Sequence, residues 1–341
     1  MKSYRAELTP QMLHYADKSA DGGEIRWFRW QPYLQYFHPT AHVSDVVNTD
    51  HLGFRVSHGN GQLASVGGPP SGGPVRLIVG SSTVFGMGAT RDETTLASRL
   101  WTEHAPGRPW LNCGGRSYNP TQELLLFVLY RHLLPEIDEI VLFTGFNALA
   151  LAWLPQWLQG DHGAFFFSVK YFDLLEELNG KDAAKPWWAG RRPASRSSEE
   201  LYVPDLPGQI AAGTDLTLRH LDTWRALASA AGARLTFVLQ PLAQWVRAEP
   251  APQERLLFAE LDHLANFDRA YGEIARMDVG RRYAEELRAG CDKLGVQFLD
   301  MNPVLGEAIK ENDWVFVDRI HFTDEGHDIV SSLLATELSL S

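Results

Sequence analysis

The 341-residue sequence predicts an α/β fold, a flavodoxin-like three-layer sandwich whose five-stranded, mostly parallel sheet carries helices on both faces. Two observations support this prediction. Short runs of mostly apolar, often β-branched residues recur along the chain, which is typical of buried strands. Segments with helical spacing of apolar residues separate these runs, and such alternation favours parallel strands joined by helical connections. The five runs begin at Val75, Trp110, Glu139, Arg234 and Val296.

The first run, Val75 to Val79, leads into Gly80-Ser81-Ser82. The change from β-branched to small side chains predicts the end of a strand and the start of a turn. Small hydroxyl groups would then lie at the carboxyl edge of the sheet, where open α/β sheets bind ligands. Helical spacing resumes at about Asp92 and continues to His104.

The second run ends at Gly114-Gly115, and a helix is predicted soon after it. Asn119 is a preferred N-cap residue and Pro120 suits the first helical position. Pro135 ends that helix because proline cannot continue a helical hydrogen-bond ladder. The third run follows and ends at Gly145-Phe146-Asn147.

The alternation continues in the second half of the chain. Helices are predicted before and after the fourth strand and again before the fifth, and a brief apolar run, Trp314 to Val317, follows. The predicted helices span about 214–231, 253–275 and 279–294, with a short helix capped by Asn302-Pro303 and a final helix that begins at Thr323.

The chain divides into an N-terminal extension, residues 1–73, and a main domain, residues 74–341. The early part of the extension is rich in aromatic residues, which would be costly to leave in water, so we expect it to pack on the main domain. A second aromatic-rich stretch, at about 148–213, interrupts the alternation. A long stretch of this kind is typical of a lid or binding region, and core packing is the alternative.

Composition excludes several classes of protein. The formal net charge is −11, and no run rich in lysine and arginine offsets it, so nucleic-acid binding is not expected. The two cysteines, Cys113 and Cys291, cannot build a disulfide framework or a cysteine-rich metal site. Neither a signal peptide nor a transmembrane span is indicated, and we expect a soluble cytoplasmic protein.

A serine hydroxyl becomes nucleophilic when a base removes its proton and a third group orients that base. Ser82 is the candidate nucleophile. Near the other end of the chain, Asp318 precedes His321 by three residues, so one turn can hold the carboxylate against one imidazole nitrogen. The other nitrogen would then face a hydroxyl. An imidazole suits this proton exchange near neutral pH.

Acyl transfer also needs hydrogen-bond donors for the oxyanion that develops on the carbonyl oxygen. The ends of the strands supply candidates. We expect donation from the backbone N–H groups of Ser82 and Gly114 and from the side-chain amide of Asn147. Gly115 is the alternative to Gly114. A nucleophile, a base and these donors all fall at carboxyl ends of strands or in the last loop.

These residues resemble the SGNH, or GDSL-type, hydrolases in four blocks, and a lead-in seen in some members matches residues 48–55. The blocks are Gly80 to Gly86, with Ser82 in the serine position; Asn112-Cys113-Gly114; Gly145 to Ala148, with Asn147; and Asp318 to His321, continued by residues 322–327. The chain departs from the family pattern at Ser81, where an acidic residue is usual, and at Ala148. These departures leave room for an unusual substrate or acceptor.

The resemblance implies an SGNH-type fold and a serine esterase or thioesterase that works through an acyl-enzyme. Two alternatives stay open: an acyltransferase that uses an acceptor other than water, and a non-catalytic binding module of the same fold. We expect a small-molecule ester or acyl substrate, with an apolar or ring-bearing group suggested by the aromatic residues. No cofactor and no metal are expected, because Gly86-Met87-Gly88 lacks the rest of a dinucleotide-binding loop and no histidine–glutamate cluster has metal spacing. The sequence does not indicate the oligomeric state.

Overall fold

Five strands that lie between residues 75 and 300 form the predicted parallel sheet. The computed structural model describes residues 3–15, 29–69, 71–154, 159–167, 204–265 and 271–341. The sheet contains five strands, and every neighbouring pair is parallel. The predicted fold class is therefore confirmed. The five strands are β5 (Val75–Gly80), β6 (Trp110–Gly114), β7 (Ile137–Thr144), β8 (Arg234–Leu239) and β9 (Gln297–Asp300).

Two small antiparallel sheets precede the main sheet, and helices alternate with its strands. The small sheets pair β1 (Arg29–Gln31) with β2 (Gln35–Phe37) and β3 (Ser57–Gly59) with β4 (Gln62–Ala64). None of the described helices is long and apolar enough to cross a membrane. The α-helices of the described residues are α1 (Tyr4–Leu8), α2 (Ser82–Phe85), α3 (Leu96–Arg99), α4 (Pro120–Tyr130), α5 (Phe146–Leu151), α6 (Leu206–Ala231), α7 (Ala243–Val246), α8 (Pro252–Ala265), α9 (Met277–Leu294), α10 (Met301–Ala308) and α11 (Asp324–Glu337).

The order of the strands creates a position at the carboxyl ends of the strands where ligands typically bind. β5 is the first of these five strands in the chain but lies between β6 and β7 in the spatial order β6-β5-β7-β8-β9, so the strand order reverses at β5. Ligands of open α/β sheets bind at such a reversal, outside the carboxyl ends of the strands. The register aligns these ends, because Gly80 pairs with both Gly114 and Phe143. The segments that follow β5, β6 and β7 therefore leave the sheet side by side.

The core extends from the sheet into the N-terminal segment. All six residues of β5 are buried, as expected for a strand covered on both faces. Tyr36, Phe37 and Phe54 belong to the same apolar cluster as the sheet residues. Trp30, Tyr36 and Phe37 thus pack on the main domain, whereas Tyr33 is 79% exposed. Trp27 and Phe28 lie outside the described residues.

A buried arginine joins the N-terminal segment both to Asp92 and to the end of the helix that carries Ser82. The Arg55 guanidinium lies 2.7 Å from Asp92, and both side chains are inaccessible to solvent. The same guanidinium donates to the carbonyl oxygens of Phe85 and Gly86. A positive charge at the carboxyl end of a helix is favourable. Arg55 therefore holds the end of α2 in place.

Several local elements differ from the sequence prediction. The predicted turn after β5 is a short helix, α2, and four residues are too few for helical spacing to be visible. The single helix expected over 92–104 is broken into three short pieces, a 3-10 turn, α3 and a π-helical turn. Asp300, rather than Asn302, caps α10 through its side chain. Much of the aromatic stretch at 148–213 lies outside the described residues.

A buried carboxyl group in α4 makes the stability depend on pH. Glu123 is 2% exposed and accepts a 2.6 Å hydrogen bond from the Thr144 hydroxyl. Burial raises the pKa of Glu123 from its ordinary value of 4.5 to about 8. The folded protein therefore keeps this proton while the unfolded chain releases it above pH 4.5, and the stability from this group is lost as the pH rises towards 8.

We expect Glu123→Gln to stabilise the protein at alkaline pH, because glutamine stays neutral and its oxygen can accept the same hydrogen bond. At pH 8 the free energy of unfolding should rise by roughly 4 kcal/mol, with little change near pH 4.5. Urea unfolding of both proteins across this pH range measures the difference. A difference that does not vary with pH would contradict the raised pKa.

Candidate active site

A short hairpin outside the main sheet carries the Asp-x-x-His motif. Phe316 and Phe322 form an antiparallel bridge, and the N–H of Val317 donates to the carbonyl oxygen of His321 at 2.9 Å. We call residues 315–323 the His321 hairpin. Asp318 and His321 lie at its tip, where Asp318 Oδ1 accepts 2.8 Å hydrogen bonds from the N–H groups of Ile320 and His321. The aspartate thus builds the turn that holds it beside the histidine, as aspartate often does.

Ser82, His321 and Asp318 form a continuous hydrogen-bonded line. Ser82 Oγ lies 2.7 Å from His321 Nε2, and His321 Nδ1 lies 2.7 Å from Asp318 Oδ2. Ser82 and His321 are each 8% exposed, so both side chains are largely shielded from solvent but still accessible. The structure brings together three residues that the sequence separates by as many as 239 positions. This arrangement can move a proton from the hydroxyl to the imidazole while the carboxylate balances the charge.

The carboxylate of Asp318 stays ionised in this setting. Desolvation by burial would raise its pKa, but the electrostatic attraction of the His321 imidazole and the hydrogen bonds from His321 and Ile320 hold the pKa below its ordinary value. An ionised Asp318 keeps the Nδ1 proton of His321 directed at itself. The Nε2 atom is then free of hydrogen and can accept the proton of Ser82.

Ser82 opens the short helix α2 at the end of β5. Its N–H is at the first helical position, where a helix offers no internal acceptor. The helix ends after one turn because Gly86 takes a left-handed conformation, with φ of +88°, which glycine adopts without strain. The hydroxyl and the N–H of Ser82 therefore lie together at the carboxyl edge of the sheet.

Gly114 does not offer the hydrogen-bond donor that the sequence predicts. Its N–H donates to the Asn112 side-chain oxygen at 3.0 Å, and a Cβ atom at this position would lie 2.2 Å from the backbone nitrogen of Phe85. Glycine is required here because the end of β6 packs closely against α2. The structure thus assigns Gly114 to packing, and the N–H of its alternative, Gly115, donates to the carbonyl oxygen of Gly80.

Ser117 supplies a candidate donor that the sequence did not indicate. Among the backbone N–H groups of residues 114–119, the one at Ser117 has no hydrogen-bond acceptor within the described part of the chain. The others donate to Asn112, Gly80, His38, Gly115 and Gln122. Ser117 is also the one partly exposed residue between positions 111 and 120. Its φ of +59° is uncommon for a residue with a side chain, and such strain is concentrated at functional sites.

Asn147 lies beside this loop. It occupies the first turn of α5, directly after β7, and its side-chain nitrogen donates a 2.7 Å hydrogen bond to the carbonyl oxygen of Tyr118. An amide nitrogen carries two hydrogens, so one remains for a ligand. Asn147 is 8% exposed. The bond ties the amide to Tyr118, the residue after Ser117.

One cluster of potential metal ligands lies elsewhere in the described residues. Single ligand atoms of Glu103, His104 and Asp328 lie within 4.8 Å of one another. The Arg99 guanidinium lies 3.8 Å from Asp328 and also pairs with Glu103. Its positive charge already balances the carboxylates and opposes a bound cation. The cluster contains no member of the Ser82 site.

No protein-family model matches the sequence, and no curated protein matches it. Several solved structures are similar in fold. A GDSL-like lipase from Bacteroides thetaiotaomicron is 13% identical with a TM-score of 0.40, and the match covers 80% of this chain and 90% of that one. A catalytic mutant of an acetylxylan esterase from Geobacillus stearothermophilus is 13% identical with a TM-score of 0.41, covering 80% and 97%. A member of the lipolytic G-D-S-L family from Veillonella parvula is 14% identical with a TM-score of 0.40, covering 78% and 98%. The solved structures similar to this chain thus include two described as GDSL-type lipolytic proteins and one described as an acetylxylan esterase.

Proposed function

We propose that this chain is a serine esterase that cleaves a small-molecule ester or thioester through an acyl-enzyme. The observation that carries the proposal is the line of two 2.7 Å contacts from Ser82 through His321 to Asp318. A surface Asp–His pair would not need a serine hydroxyl at the second imidazole nitrogen. The position of this line at the reversal of strand order adds support, because ligands of such sheets bind there.

The first half of the reaction transfers the acyl group to Ser82. The Ser82 oxygen attacks the carbonyl carbon while its proton moves to His321 Nε2, and the carbonyl oxygen becomes an oxyanion. The oxyanion collapses, the bond to the leaving oxygen or sulfur breaks, and His321 returns the proton to the departing alcohol or thiol. Asp318 stabilises the imidazolium that exists between these two transfers.

The second half releases the acid. A water molecule gives a proton to His321 and attacks the acyl carbon, and a second oxyanion forms. Its collapse breaks the bond to Ser82, which recovers its proton from His321. Over both halves, one ester and one water give one acid and one alcohol, and a thioester gives a thiol in place of the alcohol.

Three donors would stabilise the oxyanion in both halves. We assign them to the N–H of Ser82, the side-chain amide of Asn147 and the N–H of Ser117, which replaces Gly114 in this role. A donor of this kind contributes about 3 kcal/mol to the transition state. The Ser117 N–H suits the role because it has no acceptor of its own in the described residues and belongs to the residue before Tyr118, which Asn147 binds.

A fluorophosphonate probe tests the proposal, since such probes react with activated serines. We expect stoichiometric labelling, mapped by peptide mass spectrometry to Ser82, and turnover of p-nitrophenyl acetate. Turnover in the presence of an alcohol or amine acceptor separates the alternatives. Free acid as the main product supports hydrolysis, whereas transfer product in excess over acid supports an acyltransferase. If the protein showed neither labelling nor turnover, the non-catalytic binding module would be the remaining function.

The cytoplasmic location and the division at residue 73 stay predictions from the sequence. The apolar or ring-bearing character of the substrate also stays a prediction, because many of the aromatic residues behind it, including Trp187 and Trp188, lie outside the described residues.

A further inference from the structure

A buried carboxylate on a neighbouring helix holds the start of the His321 hairpin. Glu254 lies in the first turn of α8 and is fully buried. Its Oε1 atom accepts 3.0 Å hydrogen bonds from the backbone N–H groups of both Val315 and Phe316. The hairpin lies outside the main sheet, so no neighbouring strand is available to these donors in the described structure. The Glu254 carboxylate therefore accepts the hydrogen bonds that the carbonyl groups of a neighbouring strand would otherwise accept.

The second oxygen of Glu254 ties the hairpin to the segment before it. Oε2 accepts from the N–H of Ala251 at 3.0 Å, which completes the start of α8, and from Arg247 at 2.7 Å. Arg247 also donates to the carbonyl oxygens of Lys310 and Asp313 at 3.0 and 2.8 Å. The pair is largely desolvated, since the two side chains are 13% and 1% exposed. Arg247 and Glu254 together therefore fix residues 310–316.

The same face of α8 contacts the tip of the hairpin. Glu254, Phe258 and Asp262 are spaced by four residues, which places them on one side of a helix. The Arg319 guanidinium lies 5.1 Å from the Phe258 ring and pairs with the Asp262 carboxylate. Arg319 lies between Asp318 and His321. One helix face thus holds the hairpin at both its base and its tip.

We propose that Glu254 is a positioning residue of the reaction, which sets the hairpin so that His321 Nε2 meets Ser82. The proposal rests on the serine esterase function given above. Asp318 follows Phe316 by two residues, so a shift at the bonds to Glu254 passes directly to the Asp318–His321 pair. A displacement of about 1 Å at reacting groups can cost about 100-fold in rate. Substrate contacts elsewhere in the site would be unaffected.

The variant Glu254→Gln tests this proposal. All the groups around Glu254 are donors, so the NH2 of a glutamine must face either the two backbone N–H groups or Arg247. We expect kcat for p-nitrophenyl acetate to fall about 10- to 100-fold while KM changes less than about threefold. The rate of fluorophosphonate labelling at Ser82 should fall by a similar factor. All rates are measured well below the melting temperature of the variant.

Glu139→Gln is the matched control. Glu139 is also a buried glutamate paired with an arginine, Arg234, but it lies at the amino end of β7, on the opposite edge of the sheet. We expect it to lower the melting temperature without changing kcat. Equal losses of kcat in the two variants, or a wild-type kcat in Glu254→Gln when the wild-type enzyme is active, would overturn the positioning role alone. A wild-type protein that neither labels nor turns over would overturn the proposed function and this role with it.

Discussion

Replacing Ser82 with alanine should lower kcat for p-nitrophenyl acetate by at least about 10⁴-fold. The hydroxyl is the nucleophile in the proposed reaction, and alanine leaves His321 without a proton to accept. The fold should persist, because the hydroxyl group contacts His321 and the backbone of α2 is bound by its own carbonyl and N–H groups. Steady-state kinetics, with circular dichroism and a melting curve as checks on folding, measure the effect.

Ser81→Ala is the matched control for this prediction. Ser81 is the adjacent serine and is 1% exposed. Its hydroxyl donates a 3.4 Å hydrogen bond to the side-chain oxygen of Gln240, whereas the hydroxyl of Ser82 contacts His321. Its loss should change kcat less than about fivefold, since it removes one weak neutral hydrogen bond. Activity that survives Ser82→Ala, or that disappears equally in both variants, would show that Ser82 is not the nucleophile.

The sequence predicts the positions of Ser82 and of the Asp318–His321 pair because each has a topological or local cause. Parallel strands bring their carboxyl ends to one edge, so the residue after β5 had to lie near those after β6 and β7. Asp318 and His321 are joined by a turn that the aspartate itself builds. The spacing of three residues is therefore visible in the sequence as a motif.

Backbone donors are harder to predict, since their direction depends on dihedral angles and not on residue type. Gly114 is the better candidate by composition, because glycine admits close approach. In the structure its lack of a side chain serves packing against Phe85. Ser117 carries no signal in the sequence, because a serine rarely takes the left-handed conformation that it has here.

Long-range polar contacts leave even less trace in the sequence. Glu254 is 61 residues from Val315, and its place in a helical pattern resembles that of an exposed capping glutamate. Its burial depends on how α8 packs against the His321 hairpin. Arg55 is similar, since the sequence places it in a motif but does not reveal that it binds the end of α2. Tertiary packing decides both roles.

Asp328→Asn is the control for a second prediction, the replacement of Asp318 by asparagine in the Ser82–His321–Asp318 line. Asp328 also contacts a histidine, with 2.9 Å between its Oδ1 atom and His104 Nε2, but this pair lies outside the Ser82 site. The substitution also removes a negative charge beside an imidazole, but it leaves Ser82, His321 and Asp318 unchanged. We expect kcat to stay within about twofold of wild type, because exposed pairs of this kind contribute little.

Asp318→Asn itself should lower kcat by about 10⁴-fold through the tautomer of His321. Two backbone N–H groups point at Oδ1 of Asp318, so they would orient the oxygen of an asparagine towards themselves. Its NH2 group would then face Nδ1 of His321, and the imidazole would have to carry its hydrogen on Nε2, facing Ser82. A nitrogen in that state cannot accept the serine proton. Kinetics near neutral pH measure the loss; a fall of less than about 10-fold would mean that Asp318 only anchors the turn, and that the orientation of His321 comes from elsewhere in the hairpin.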